Sequence, residues 1–120
     1  MVEAMDMGAD VIGGCPYCEL NRKDTEAHID TVFQLAERYD APIDMHVDFA
    51  DDTSDQRFVT TEYIARKTIE RGWQGRVSLG HVTNLGSLPP SELEPIIDLL
   101  HEADITIVTL PATDLYLGGR

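Results

Sequence analysis

Basic residues are scarce in this chain: nine lysines and arginines stand against 22 aspartates and glutamates, a formal charge of -13 over 120 residues. Nucleic acid and anionic membranes repel such a charge, so neither is expected as a partner. No apolar run approaches the roughly 18 residues that a membrane-crossing helix requires, and the amino terminus lacks a basic start followed by an apolar core. A soluble cytoplasmic protein is the expectation. Only two cysteines occur, Cys15 and Cys18, too close together to staple a chain of this size. There is no second C-x-x-C, no H-x-x-x-H and no H-x-H, so the usual local zinc-site spacings are missing.

What the chain does have is periodicity, with 42% hydrophobic residues, enough for one folded domain over residues 1–120. In Pro42-Ile43-Asp44-Met45-His46-Val47-Asp48-Phe49, residues Ile43, Met45, Val47 and Phe49 share one parity and Asp44, His46 and Asp48 the other. A period of two is that of a β-strand. Carboxylates and an imidazole on one parity are costly to bury unless they are paired or bind a metal. A histidine near the carboxyl end of a parallel strand stands where α/β folds keep their chemistry.

Around that strand the pattern repeats. Met1 to Gly8 reads as the tail of a helix stopped by glycine, and Asp10 to Gly14 as a short strand. Asp24-Thr25-Glu26 opens a helix whose Ile29, Val32, Phe33 and Ala36 make one buried face, and Pro42 ends it. Asp51 to Asp55 forms a polar loop able to cap a second helix, with Phe58, Thr61, Ala65 and Ile69 on its apolar side and Gly72 as its stop. Arg76 to Thr83 is the next strand, and it too carries a histidine, His81. Ser91-Glu92-Leu93-Glu94 has capping-box spacing ahead of a stripe of Leu93, Ile96, Ile97 and Leu100. Thr106 to Leu110 is a last strand closed by Pro111 to Asp114, with no covering helix expected over Leu115 to Arg120. Strand exits thus recur at about one βα unit, which predicts four parallel strands with three to four helices.

His46 and His81 end consecutive strands, so neighbouring strands would hold their Cα atoms about 5 to 7 Å apart. Two imidazoles at a strand-end rim suit a divalent metal, or one metal and one water-orienting base. His28 and His101 fall within helical patterns and are expected on the surface. Asp51-Asp52 lacks the glycine and glutamate of an EF-hand loop and reads as a solvated cap.

Cys15-Pro16-Tyr17-Cys18 has dithiol redox spacing and resembles the active site of glutaredoxins. In that family the first cysteine begins a helix, whereas the helix start at Asp24 comes several residues later here. A thiol-disulfide oxidoreductase built on these two cysteines is one alternative reading. A second is a self-contained, flavodoxin-like α/β module that binds a small ligand without catalysis.

A wider resemblance rests on His46-Val47-Asp48 with Asp51-Asp52 and Arg57-Phe58, and on Gly80-His81-Val82-Thr83. Gly8 to Pro16 with Glu19, and Leu117-Gly118-Gly119-Arg120, extend it over nearly the whole chain. These stretches resemble cytosine deaminases and related members of the amidohydrolase superfamily. The resemblance implies a partial (β/α)8 TIM barrel, strands four to seven of a fold that needs about 250 residues. It also implies a metal-dependent hydrolase acting on a C–N bond of a small nitrogen heterocycle or amide, with zinc or iron as the divalent metal.

Carried over residue by residue, His46 is the metal ligand, and His81 orients the water or substrate, or binds a second metal. The family's proton-shuttle glutamate, three residues beyond the first of these histidines, is replaced by Phe49. A phenyl ring cannot move a proton, so Asp48, the nearest carboxylate on the inward parity, becomes the candidate catalytic group beside His81. With both ends reading as cut, the chain alone is expected to be an inactive fragment, prone to self-associate through bare sheet edges.

Overall fold

The computed structural model describes residues 1–118. Gly119 and Arg120, which complete the last stretch of the resemblance, lie outside the described residues. Four strands, β1 (Ile12–Gly14), β2 (Ile43–Val47), β3 (Val77–His81) and β4 (Thr106–Val108), form one sheet in the order 1-2-3-4, every pairing parallel. Five helices accompany them: α1 (Val2–Asp6), α2 (Arg22–Tyr39), α3 (Thr61–Glu70), α4 (Pro90–Glu102) and α5 (Pro111–Leu117). Consecutive parallel strands joined by crossover helices make the barrel-type α/β arrangement that the repeat predicts.

The core lies between the sheet and its helices. Ile43, Met45 and Val47 of β2 and Val77 and Leu79 of β3 pack under Ile29, Val32, Phe33 and Ala36 of α2 and Ile64 of α3. At about 25 cal/mol per Å2 of buried apolar surface, this one-sided layer is what holds the middle of the sheet. Asp44 and His46 point from the opposite face and are exposed. Register matters at the rim, where Val47 is the partner of His81 and Gly80 the partner of His46. Gly13 is needed where β1 approaches β2, because a Cβ there would sit 2.5 Å from the Asp44 carbonyl oxygen.

Several element starts differ from expectation. Asn21, not Asp24, caps α2: its side chain accepts from the Asp24 amide at 3.1 Å and donates back to the Asp24 carboxylate at 2.7 Å. Ser91 lies inside α4, whose first residue is Pro90, because proline's fixed φ suits that position and its missing N–H has no partner there anyway. Pro111 likewise starts α5 where no helix was expected. In α3 the buried side is Thr61, Ile64, Ala65 and Thr68, not the stripe through Phe58 and Ile69.

β4 is short and its residues are exposed, with Ile107 38% and Val108 42% accessible. The apolar stripe of α4 is only partly covered, Ile97 remaining 51% exposed. No helix among the described residues is long and apolar enough to cross a membrane.

Candidate functional site

The two histidines meet by a departure from strand geometry. Strict alternation would turn His81 to the helix side with Val77 and Leu79, and Asp48 to the His46 side. Both positions have left-handed backbone, φ 76° at His81 and 52° at Asp48, and Val82 follows with φ 54°. Positive φ breaks the alternation, and each side chain crosses over.

His81 swings to the rim, where its Nε2 lies 2.9 Å from His46 Nδ1 and the ring centroids are 5.0 Å apart. Asp48 goes the other way. Its buried carboxylate accepts from the amides of Thr60 and Thr61 at 2.8 to 2.9 Å and from their hydroxyls at 2.6 to 2.7 Å. It therefore caps α3, where the helix dipole favours an anion. Burial pushes the Asp48 carboxyl up, while the Thr61 and Thr60 hydrogen bonds pull it down. Asp48 was expected as the catalytic carboxylate beside His81, and the structure turns it elsewhere: every described partner of its carboxylate is an amide or hydroxyl of Thr60 or Thr61.

The carboxylate that does reach the histidines is Asp114, in the first turn of α5. Its Oδ1 lies 2.6 Å from His81 Nδ1, and the two side chains are 16% and 7% exposed. Nothing in the spacing of the sequence marked it. The remaining signal was its place in the segment that follows a strand exit, although it lies six residues beyond Val108, the end of β4, whereas His46 and His81 lie within their strands.

This chain of contacts fixes tautomers by elimination. A carboxylate only accepts, so His81 Nδ1 carries the hydrogen. In the neutral pair His81 Nε2 then accepts from His46 Nδ1–H, which leaves His46 Nε2 with its lone pair free. Phe49 closes one side, its ring centroid 5.0 Å from that of His81. A hollow of about 380 Å3 opens beside them, lined by Phe49, Thr83, Ser87, Asp114 and Leu115. A larger one of about 640 Å3 lies between α3 and α4; Asp48 is among its lining residues, and His46, His81 and Asp114 are not.

For a divalent ion the fit is to a single ligand. His46 Nε2 is a free imidazole nitrogen of the kind metals take, but His81 Nε2 is turned to His46. Among the described residues no group of three or more His, Cys, Asp or Glu is arranged to hold an ion.

The Cys15 thiol sits at the head of a 3-10 turn, Pro16–Cys18, and not at the start of an α-helix. Burial pushes that thiol up, the opposite of what an attacking redox cysteine requires. His28 is half-buried, not a surface residue; its Nδ1 lies 2.8 Å from Glu19 Oε1, and its buried Nε2 has no partner among the described residues.

The model of the amidohydrolase family Amidohydro_3 matches residues 1–120. The chain belongs to that amidohydrolase family. It is 31% identical to an N-isopropylammelide isopropyl amidohydrolase of Pseudomonas sp. over 89% of this chain and 26% of the relative. It is 33% identical to a pterin deaminase of Rhizobium rhizogenes over 81% of this chain and 22% of the relative.

Among solved structures, it superposes on a Klebsiella pneumoniae 5-methylcytosine deaminase crystallised with phosphonocytosine with TM-score 0.86 and 29% identity. That match covers 96% of this chain and 27% of the deaminase. An N-isopropylammelide isopropylaminohydrolase of Burkholderia multivorans matches with TM-score 0.76 and 28% identity, over 89% of this chain and 26% of its own. The chain thus spans about a quarter of the length of these relatives. The four-stranded α/β arrangement is that of the amidohydrolase barrels.

Proposed function

We propose that this amidohydrolase chain supplies the two-histidine rim of a hydrolase that opens a C–N bond in a small nitrogen heterocycle or amide. The reading is supported by relatives named as an amidohydrolase and as deaminases. The observation that carries it is the relay Asp114–His81–His46, which leaves one outward lone pair, at His46 Nε2.

His46 is the metal ligand in this reading, and the ion's other ligands come from outside the described residues. A zinc or iron held by His46 would supply a water activated at neutral pH. Asp114 holds the His81 ring in one orientation and stabilises an imidazolium if Nε2 takes a proton, the role a buried carboxylate plays behind a general base. Taking that proton requires the bond to His46 to open. Phe49 keeps water from one face of His81 and carries no proton. Asp48 is engaged with α3, so proton transfer falls to His81.

A chimera tests this: the 120 residues replace the corresponding quarter of the Klebsiella pneumoniae deaminase, and metal content and ammonia release are measured. Metal retained by the chimera and lost on His46→Ala, with turnover rising on Phe49→Glu, is the expected result. An H46A chimera that keeps its metal as well as the parent does refutes the assignment.

A further inference from the structure

The Cys15–Cys18 turn is not absorbed by this chemistry, and its geometry points elsewhere. Cys15 precedes the 3-10 turn and Cys18 ends it, with Pro16 fixing the backbone at the first turn position. Both thiols are free, and their sulfurs lie 3.5 Å apart. A disulfide needs about 2.05 Å, so a small sulfur movement closes the bond. The turn is seated firmly: Tyr17 stacks on Phe58 with ring centroids 4.9 Å apart, and Arg57 donates to the Glu19 carbonyl at 3.3 Å.

The two sulfurs are unequal. Cys18 is exposed. Cys15 is half-buried. A soluble disulfide can therefore reach Cys18, and Cys15 is placed to reach Cys18 in turn.

We propose that Cys15 and Cys18 form a reversible intramolecular disulfide by exchange with low-molecular-weight disulfides of the glutathione type, Cys18 attacking and Cys15 resolving. The Cys18 thiolate attacks one sulfur of the small disulfide, whose S–S bond breaks and releases one thiolate. The Cys15 thiolate, its proton lost to solvent, then attacks Cys18 Sγ and expels the second small thiolate. Both leaving thiolates take up protons. One small disulfide is reduced to two thiols while the protein dithiol is oxidised, so two electrons and two hydrogens balance. The raised Cys15 thiol makes it a poor first nucleophile and suits it to the second step, where proximity replaces acidity.

The test uses the full chain, reduced, desalted and exposed to oxidised glutathione, then acid-quenched, alkylated and read by intact mass and peptide mapping. The expected product has lost two hydrogens and both alkylation sites, carries no glutathione, and reverts with dithiothreitol. Cys15→Ser should hold one glutathione on Cys18, and Cys18→Ser should react about tenfold more slowly or worse. Stable glutathione adducts on the unaltered chain, intermolecular dimers, or equal adduct rates in the two serine variants overturn the proposal. The unaltered chain decides the first two outcomes even if a variant misfolds.

Discussion

Asp114 Oδ1 stands 2.6 Å from His81 Nδ1, across 33 residues of sequence. That contact ties the start of α5 to the exit of β3, so this helix, which buries none of its residues, orders the rim through Asp114.

Removing it should be visible at the ring. In Asp114→Ala, His81 loses the acceptor that holds its Nδ1 hydrogen, and long-range proton–nitrogen NMR should show mixed tautomers where the unaltered chain shows one. The unpaired, nearly buried N–H should lower stability by about 1 to 3 kcal/mol. Asp114→Asn, which keeps an acceptor oxygen, should restore the single tautomer. An unchanged His81 spectrum in D114A would mean that Asp114 does not orient it.

Asp48 should behave as a structural group. Asp48→Ala leaves the Thr60 and Thr61 amides without a cap, and urea unfolding should show a loss of about 1 to 3 kcal/mol.

The pH dependence has a definite sign. Burial raises the Asp48 carboxyl above its ordinary value, so the folded state holds that proton more tightly than the unfolded one. The group's contribution is full below about pH 3.9 and declines as pH rises through the raised value. The stability of the unaltered chain relative to D48N should therefore fall across that window. A difference that grows with pH would contradict this.

Substitution at two glycines should have unequal effects. Gly13→Ala sets a methyl 2.5 Å from the Asp44 carbonyl oxygen and should cost about 1 to 3 kcal/mol as β1 is pushed from β2. Gly86→Ala meets nothing within 4 Å and should stay within about 0.5 kcal/mol of the unaltered chain. Thermal unfolding of the pair, side by side, checks both.

Much of this architecture was legible in the residues. The alternation of Ile43, Met45 and Val47 and the helical spacing of Ile29, Val32, Phe33 and Ala36 are direct imprints of packing, and both faces are buried as read. What escaped depends on backbone conformations that no side-chain pattern announces. Left-handed φ at Asp48, His81 and Val82 redirected the candidate carboxylate to α3 and brought His81 to His46 by an unexpected route. Pro111 read as a terminator because proline ends helices and also begins them. Missing α5 meant missing Asp114. The family resemblance reached further than spacing could, because it covers matched stretches along the whole chain.

The rim is also strained. A β-branched residue such as Val82 strongly resists left-handed φ, and each such residue costs about 1 to 3 kcal/mol that the surrounding contacts must offset. A change that relieves this strain and still fills the core position that the buried Val82 side chain occupies should therefore raise the unfolding temperature. Any selection for thermal robustness alone would favour changes of that kind, loosening the turn that aims His81 at His46. Hardier descendants chosen this way would drift toward well-folded proteins with a blunted site.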